Sequence, residues 1–185
     1  MTEIVRFTDR PSVPWANGGG TTRVLVDDAH PGGGEWTWRV SVAELAGAQP
    51  FSRFAGVDRH LTFLGPGELE ITIDGVASTL TPLEEIRFRG EDDVASDPSA
   101  PSARDLNVMT RRGACLSDAT RTERPASLMP SADASAALWI SLLPGGRIDG
   151  VSVAQRDVAL LRLDAPARTE GTGLFVEIRS AASQR

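Results

Sequence analysis

Apolar and polar residues alternate along much of this chain, with a period of two far more often than a helical period. Residues 35–43 show it most clearly. Trp36, Trp38, Val40 and Val42 fall on one face, and Thr37, Arg39, Ser41 and Ala43 on the other. That pattern belongs to a strand whose two faces meet different surroundings. The Trp/Val face is the natural core face, which leaves Arg39 and Ser41 pointing to solvent or into a barrel lumen. Residues 60–64 predict the next strand, Gly65-Pro66-Gly67 a turn, and residues 68–73 another strand. Asp74-Gly75 has the composition of a two-residue hairpin loop, in which positive φ is required. Residues 76–80 then return beside 68–73, and 85–89 form a further short strand after Pro82.

The second half resumes the alternation at 105–110, 137–143, 151–154, 158–163 and 174–179. Residues 42–48 are the one place where a turn or two of helix fits. Residues 91–104 are poor in apolar side chains and rich in Pro, Ser and Asp, which predicts a connection between halves or a mobile loop. Residues 117–135 read as a second loose stretch. Many short strands separated by Gly/Pro turns predict an all-β sandwich or barrel with little helix. Two β-rich halves of similar size, 1–95 and 105–185 joined through 91–104, allow a duplicated barrel within one compact unit.

Charge and composition exclude several functions. The chain has 185 residues, with 19 basic against 25 acidic side chains and a net charge of -6. An acidic chain without a Lys/Arg-rich run does not attract nucleic acid. No stretch approaches the roughly 18 apolar residues of a membrane helix. The N-terminus lacks the basic and apolar regions of a signal peptide. A single cysteine, Cys115, rules out an intrachain disulfide framework and fits a cytoplasmic location. As a nucleophile it would need an activating base nearby, and none is predicted; a small apolar side chain beside a turn is the simpler role.

The candidate chemistry begins with an absence. The two histidines, His30 and His60, are not spaced for a metal site, and no H-x-H, H-E-x-x-H or C-x-x-C occurs. No metal and no cofactor is expected. Residues 15–22 read Trp-Ala-Asn-Gly-Gly-Gly-Thr-Thr. Three consecutive glycines are costly to order, so they suit close backbone approach, a sharp bend or an anion-binding nest of N–H groups; the alternative is a flexible loop. The strand-like Arg-Val-Leu-Val that follows excludes a phosphate-binding loop before a helix. Trp15 offers an aromatic wall, and Asn17 and Thr21 add polar groups. A lumenal Arg39 would need a partner, because an unpaired buried charge costs several kcal/mol. That partner is either a ligand carboxylate, held by a charge-assisted pair, or Asp58 or Asp105. Phe51 and Phe54 fit a core, with Ser52 and Arg59 as polar neighbours.

These residues also carry a resemblance. Asn17 to Thr22 (N-G-G-G-x-T), Trp38 to Ala43 (W-R-x-S-x-A), Pro50 to Arg59 (P-F-S-x-F-x-G-x-D-R) and Asp105 to Gly113 (D-x-N-x-M-x-R-x-G) together resemble the HutD/Ves family. Each motif alone is weak, but the four in this order across the first two thirds of the chain are specific. Ala55 and Leu106 depart from residues common at those places, Pro and Phe, without removing a polar group. The resemblance implies a double-stranded β-helix fold, a bicupin of two fused cupin-like barrels, without the usual cupin metal histidines. It also implies a role in histidine utilisation, in which a small anionic metabolite is bound to restrain the pathway; N-formylglutamate is the favoured candidate. Ves members are described as stress-related.

On this reading the first barrel holds the ligand. Arg39 and Arg59 meet its carboxylates. Trp15, Asn17, Gly18, Gly19, Gly20, Thr21, Ser41, Ser52 and Asn107 supply the remaining contacts. The protein would be a binding protein and regulator with no catalytic residue assigned, and a homodimer is an allowed assembly. The alternative is a metal-independent isomerase or epimerase. It would depend on His60, the one side chain expected to titrate near neutrality, yet alternation points His60 away from Arg59. A third reading is an interaction protein whose cavity is filled by its own side chains.

Overall fold

Residues 2–29 and 35–181 are described in a computed structural model. Their strands are β1 (Glu3–Val5), β2 (Val13–Pro14), β3 (Gly20–Asp27), β4 (Trp38–Leu45), β5 (Gln49–Pro50), β6 (Val57–Gly65), β7 (Leu69–Ile73), β8 (Val76–Leu80), β9 (Glu85–Arg89), β10 (Val94–Pro98), β11 (Ala103–Arg111) and β12 (Cys115–Thr122). They continue with β13 (Ala126–Leu128), β14 (Ala134–Ser141), β15 (Gly146–Ile148), β16 (Val151–Val153), β17 (Val158–Leu160), β18 (Ala167–Glu170) and β19 (Gly173–Ser180). Among the described residues the helical content is a single 3₁₀ turn, Phe7–Asp9. The chain divides into two units: Pro11–Arg112 forms one, and the described residues up to Arg10 join those from Gly113 onward in the other.

In the Pro11–Arg112 unit, β2-β3-β4-β11-β6-β9 make a six-stranded sheet and β5-β10-β7-β8 a four-stranded one. All pairings are antiparallel. The two sheets share a core in which Ala43, Leu45, Leu61, Phe63 and Phe88 of the larger sheet meet Leu69, Ile71, Leu80 and Val94 of the smaller. The hairpin at Asp74-Gly75 forms as the sequence predicts, with φ of 48° and 82°, the paired positive angles that match strand twist.

The other unit repeats the plan with a five-stranded sheet, β1-β17-β14-β19-β12, and a four-stranded one, β13-β18-β15-β16. Trp139, fully buried, centres its core with Leu128, Ile148, Val153 and Ala159. The Trp139 indole N–H donates to Thr122 Oγ1 at 3.0 Å, so its one polar atom is satisfied. Strand β1 belongs here by pairing, Glu3 to Leu160 and Val5 to Val158.

Several sequence expectations change. Residues 42–45 are the end of β4 and not helix, because they pair residue for residue with Leu106 to Ala103 of β11. Residues 91–104 are not a connector. They contain β10, held between β5 and β7, and the division falls at Gly113 instead. Val94 and Ser96 are buried while Ala95 and Asp97 are exposed, so the period of two survives in burial although serine hides it in hydrophobicity. Residues 117–135 carry most of β12 and all of β13. Strand β12 pairs only with β19 at a sheet edge and is largely exposed, so its polar composition suits its place. Strand β4 starts at Trp38, so Trp36 escapes the predicted face and packs with Val57 and Met109.

Candidate functional site

The site follows from strand register. β4, β11 and β6 lie side by side, and directly paired residues share a face of a sheet. Arg39 pairs with Met109 and Met109 with Arg59; Ser41 pairs with Asn107 and Asn107 with Leu61; Ala43 pairs with Asp105 and Asp105 with Phe63. Ala43, Leu61 and Phe63 belong to the core between the two sheets, so all three rows face inward. Beyond them β3 adds Thr22 opposite Ala43 and Val24 opposite Ser41. Where the inward side chains turn polar the core opens into a cavity of about 300 Å³. Trp15, Phe51, Ser52, Phe54 and Val13 complete its wall.

A hydrogen-bonded chain forms one side. Arg59 Nε and Nη2 donate to Asn107 Oδ1 at 3.2 and 2.6 Å, and Asn107 Nδ2 donates to Asp105 Oδ1. The Arg59 guanidinium carbon lies 4.9 Å from the ring centroids of Phe51 and Phe88 and 5.9 Å from that of Phe54. A cation among aromatic faces is favourable, and three rings also lock its orientation. Burial lowers the Arg59 pKa to about 10, against the charge of Asp105, so it stays protonated at neutral pH. Asp105 is wholly buried, and that burial raises its carboxyl to about 7 despite Arg59 and the Asn107 amide. Its Oδ2 has no hydrogen-bond partner.

Arg39 forms the other side. Its guanidinium carbon stacks 4.5 Å from the Trp36 ring, and its Nε lies 3.8 Å from Asp27 Oδ2. Burial lowers its pKa, opposed by Asp27. Arg39 Nε is buried and makes no hydrogen bond. Asp58, a sequence candidate for pairing Arg39, binds Arg112 instead at 2.7 and 3.0 Å. Asp105, the other candidate, is coupled to Arg59 and not to Arg39.

Six sequence-predicted residues line the cavity: Trp15, Arg39, Ser41, Ser52, Arg59 and Asn107. Asn17, Gly18, Gly19, Gly20 and Thr21 do not. The glycine amides are already used, with Gly18 N–H bound to the Trp15 carbonyl at 3.0 Å and Gly19 N–H to Asn17 Oδ1 at 3.0 Å. Asn17 thereby builds its own loop. Gly20 is needed for packing: a Cβ there would sit 2.3 Å from the Glu44 carbonyl oxygen. Thr21 pairs with Glu44 on the outer face, while its neighbour Thr22 turns inward and accepts the Trp15 indole N–H at 2.7 Å. The loop therefore holds Trp15 in the wall.

Sequence reasoning missed Asp105 as a cavity residue, along with Thr22, Val24 and Met109. The signal was present for Asp105, which stands two residues before Asn107 in one strand and so shares its face. His60 Nε2 lies 2.9 Å from Glu85 Oε2 and is not among the cavity residues. Its register partners are Val108 and Arg87, on the sheet's other face. His30 lies outside the described residues. Among the described residues no group of three or more His, Cys, Asp or Glu side chains is placed to hold a metal ion, and no helix is long and apolar enough to cross a membrane.

The paired β units, with a polar-rimmed cavity inside the first, define a protein of the two-barrel cupin class. A family description, HutD, matches residues 8–183, and the chain belongs to the HutD family. It is 33% identical over 108 residues to an uncharacterised 21.2 kDa protein in the hutC 3′ region of Pseudomonas putida, covering 58% of this chain and 57% of that one. It is 36% identical over 103 residues to Protein Ves of Citrobacter koseri, covering 55% of this chain and 53% of Ves. The chain thus matches little more than half the length of these relatives. HutD from Pseudomonas fluorescens superposes with a TM-score of 0.87 at 24% identity, covering 97% of this chain and 99% of that one, and shares its fold.

Proposed function

We propose that this chain binds a small carboxylate-bearing metabolite in the cavity of the Pro11–Arg112 unit and works by binding, without turning its ligand over. The observation that carries the reading is a pair of inward arginines lining one cavity, Arg59 fixed by Asn107 and packed on three phenylalanines, and Arg39 stacked on Trp36. Arginine suits carboxylates because its planar fork matches their two oxygens. The open space argues against a cavity filled by its own side chains. A volume of about 300 Å³ accommodates an acylated amino acid of a dozen or so non-hydrogen atoms. Micromolar affinity, about -8 kcal/mol, is roughly -0.7 kcal/mol per atom for such a ligand, inside the usual ceiling.

Family membership and the hutC-region relative favour a regulatory place in histidine utilisation, with N-formylglutamate as the first ligand to test. Titration calorimetry with N-formylglutamate, urocanate and glutarate is expected to show micromolar binding of a dicarboxylate. Arg39→Ala or Arg59→Ala should weaken it at least tenfold. Failure of every acid to bind the folded protein would falsify the proposal.

One observation favours the isomerase reading. Asp105 lines the cavity, and burial raises its carboxyl to about 7. Exchange of a ligand's α-hydrogen in deuterated water, followed by proton NMR, decides it: no exchange in the presence of bound ligand removes that reading.

A further inference from the structure

The atoms of the Arg59–Asn107–Asp105 chain admit a single donor order. Arginine has no acceptor, so its two bonds fix the Asn107 carbonyl oxygen toward Arg59. The Asn107 amino group then faces Asp105 and donates to Oδ1. Asp105 is one of the residues that line the cavity, and its Oδ2 remains, fully buried and without a protein partner. Its immediate neighbours across the sheet, Ala43 and Phe63, have nothing to offer it. An orphaned buried oxygen in a native fold calls for an explanation.

We propose that Asp105 contacts the ligand and carries the proton taken up when the cavity fills, its Oδ2 donating a hydrogen bond to a carboxylate or acyl oxygen of the bound acid. The inference rests on the carboxylate-binding reading above and names which end of the ligand meets which group. An ionised Asp105 and an anionic ligand oxygen repel at hydrogen-bond distance, whereas one proton between them converts repulsion into a strong bond. Ligands offering only acceptors at this end are selected, and one presenting an ammonium there is not.

Few other charges bear on Asp105. Arg59 acts through Asn107, and Arg39, two strands from Arg59 in the same row, has Asp27 beside it. The buried polar groups of the smaller sheet, Ser96 and Gln49, are uncharged. By register Glu44, Arg104, Asp58, His60, Glu85 and Arg87 all lie on the outer face of the larger sheet.

Filling the cavity adds negative charge beside Asp105 and so favours its protonated form. Protons are taken up wherever the free carboxyl is ionised, and affinity falls as pH rises above about 7, by up to tenfold per pH unit. The test is calorimetry of the wild type with glutarate and N-formylglutamate near pH 8, in two buffers of different ionisation enthalpy, repeated with Asp105→Asn. Uptake of up to one proton per ligand in the wild type, absent from Asp105→Asn with a flattened pH profile, is the expected result. Binding without proton uptake, or uptake that persists in Asp105→Asn, overturns the inference and leaves the carboxylate reading standing. No binding of either acid to the folded wild type overturns both. Carbon-13 NMR of aspartate carboxyls in the free protein is a second arm that needs no ligand. A carboxyl titrating near neutrality and missing from Asp105→Asn supports the assignment, and its absence refutes it.

Discussion

Arg59 and Asp105 bring opposite charges into one buried place, and the amide of Asn107 separates them. The guanidinium must make two bonds to a single oxygen while three rings pack on it, a task for a planar fork. Arg59→Lys keeps the charge but not the fork. It should weaken acid binding by roughly tenfold or more, about 1.5–3 kcal/mol for a lost charged hydrogen bond, read by calorimetry. Asp105 also ties stability to pH. Its carboxyl is raised from 3.8 to about 7 in the folded protein, so folding holds the proton more tightly than the unfolded chain does. Its contribution is therefore fully present below about pH 4 and lost as pH rises through about 7. Urea unfolding should show Asp105→Asn gaining on the wild type between about pH 4 and pH 8, by about 2–4 kcal/mol; a constant difference would contradict the assignment.

At the scale of elements, the glycine loop separates two roles that composition cannot distinguish. Gly20 lies against backbone, where a methyl group has no room, while Gly18 has φ of 71° and open space around it. Gly20→Ala should cost more than Gly18→Ala, about 2–4 against about 1 kcal/mol in thermal unfolding. Equal costs would mean that loop conformation, not packing, fixes this turn. The same element shows what was legible in the sequence and what was not. Strands β4, β6 and β11 are readable because both their faces are specified, and their period of two puts Arg39 with Ser41 and sets His60 opposite to Arg59. Strands β10 and β12 are not, since Ser and Thr at buried or edge positions carry no hydrophobic signal. Asn17 to Thr21 misled because glycine runs serve both close packing and anion contact. Choosing between them requires knowing that Glu44 lies alongside.

For the whole molecule, division at Gly113 gives the described residues up to Arg10 to the unit that continues from Gly113. Hydrophobic patterning could not show this, because β1 is three residues long and its partner is far away in sequence. Asp157 makes the attachment. Nearly wholly buried, it accepts Arg6 Nη1 at 2.7 Å, the Phe7 N–H at 2.9 Å and the Ala154 N–H at 2.9 Å. Asp157→Ala removes the acceptor of both N–H groups and leaves Arg6 only the Ser152 carbonyl at 3.3 Å, and should cost about 2–4 kcal/mol. Hydrogen exchange should then accelerate first in β1 and β17; unchanged protection there would show that the strand pairing alone holds the segment.

That attachment orders events on the ribosome. Val5 pairs with Val158, so β1 waits roughly 150 residues, or about 8–30 s at ordinary elongation rates, for its neighbour. Meanwhile the nascent chain delivers every strand of the Pro11–Arg112 barrel in sequence, each with its sheet partners inside that span. The Pro11–Arg112 unit can therefore mature while β1 remains unpaired, until synthesis of β17 supplies its neighbour.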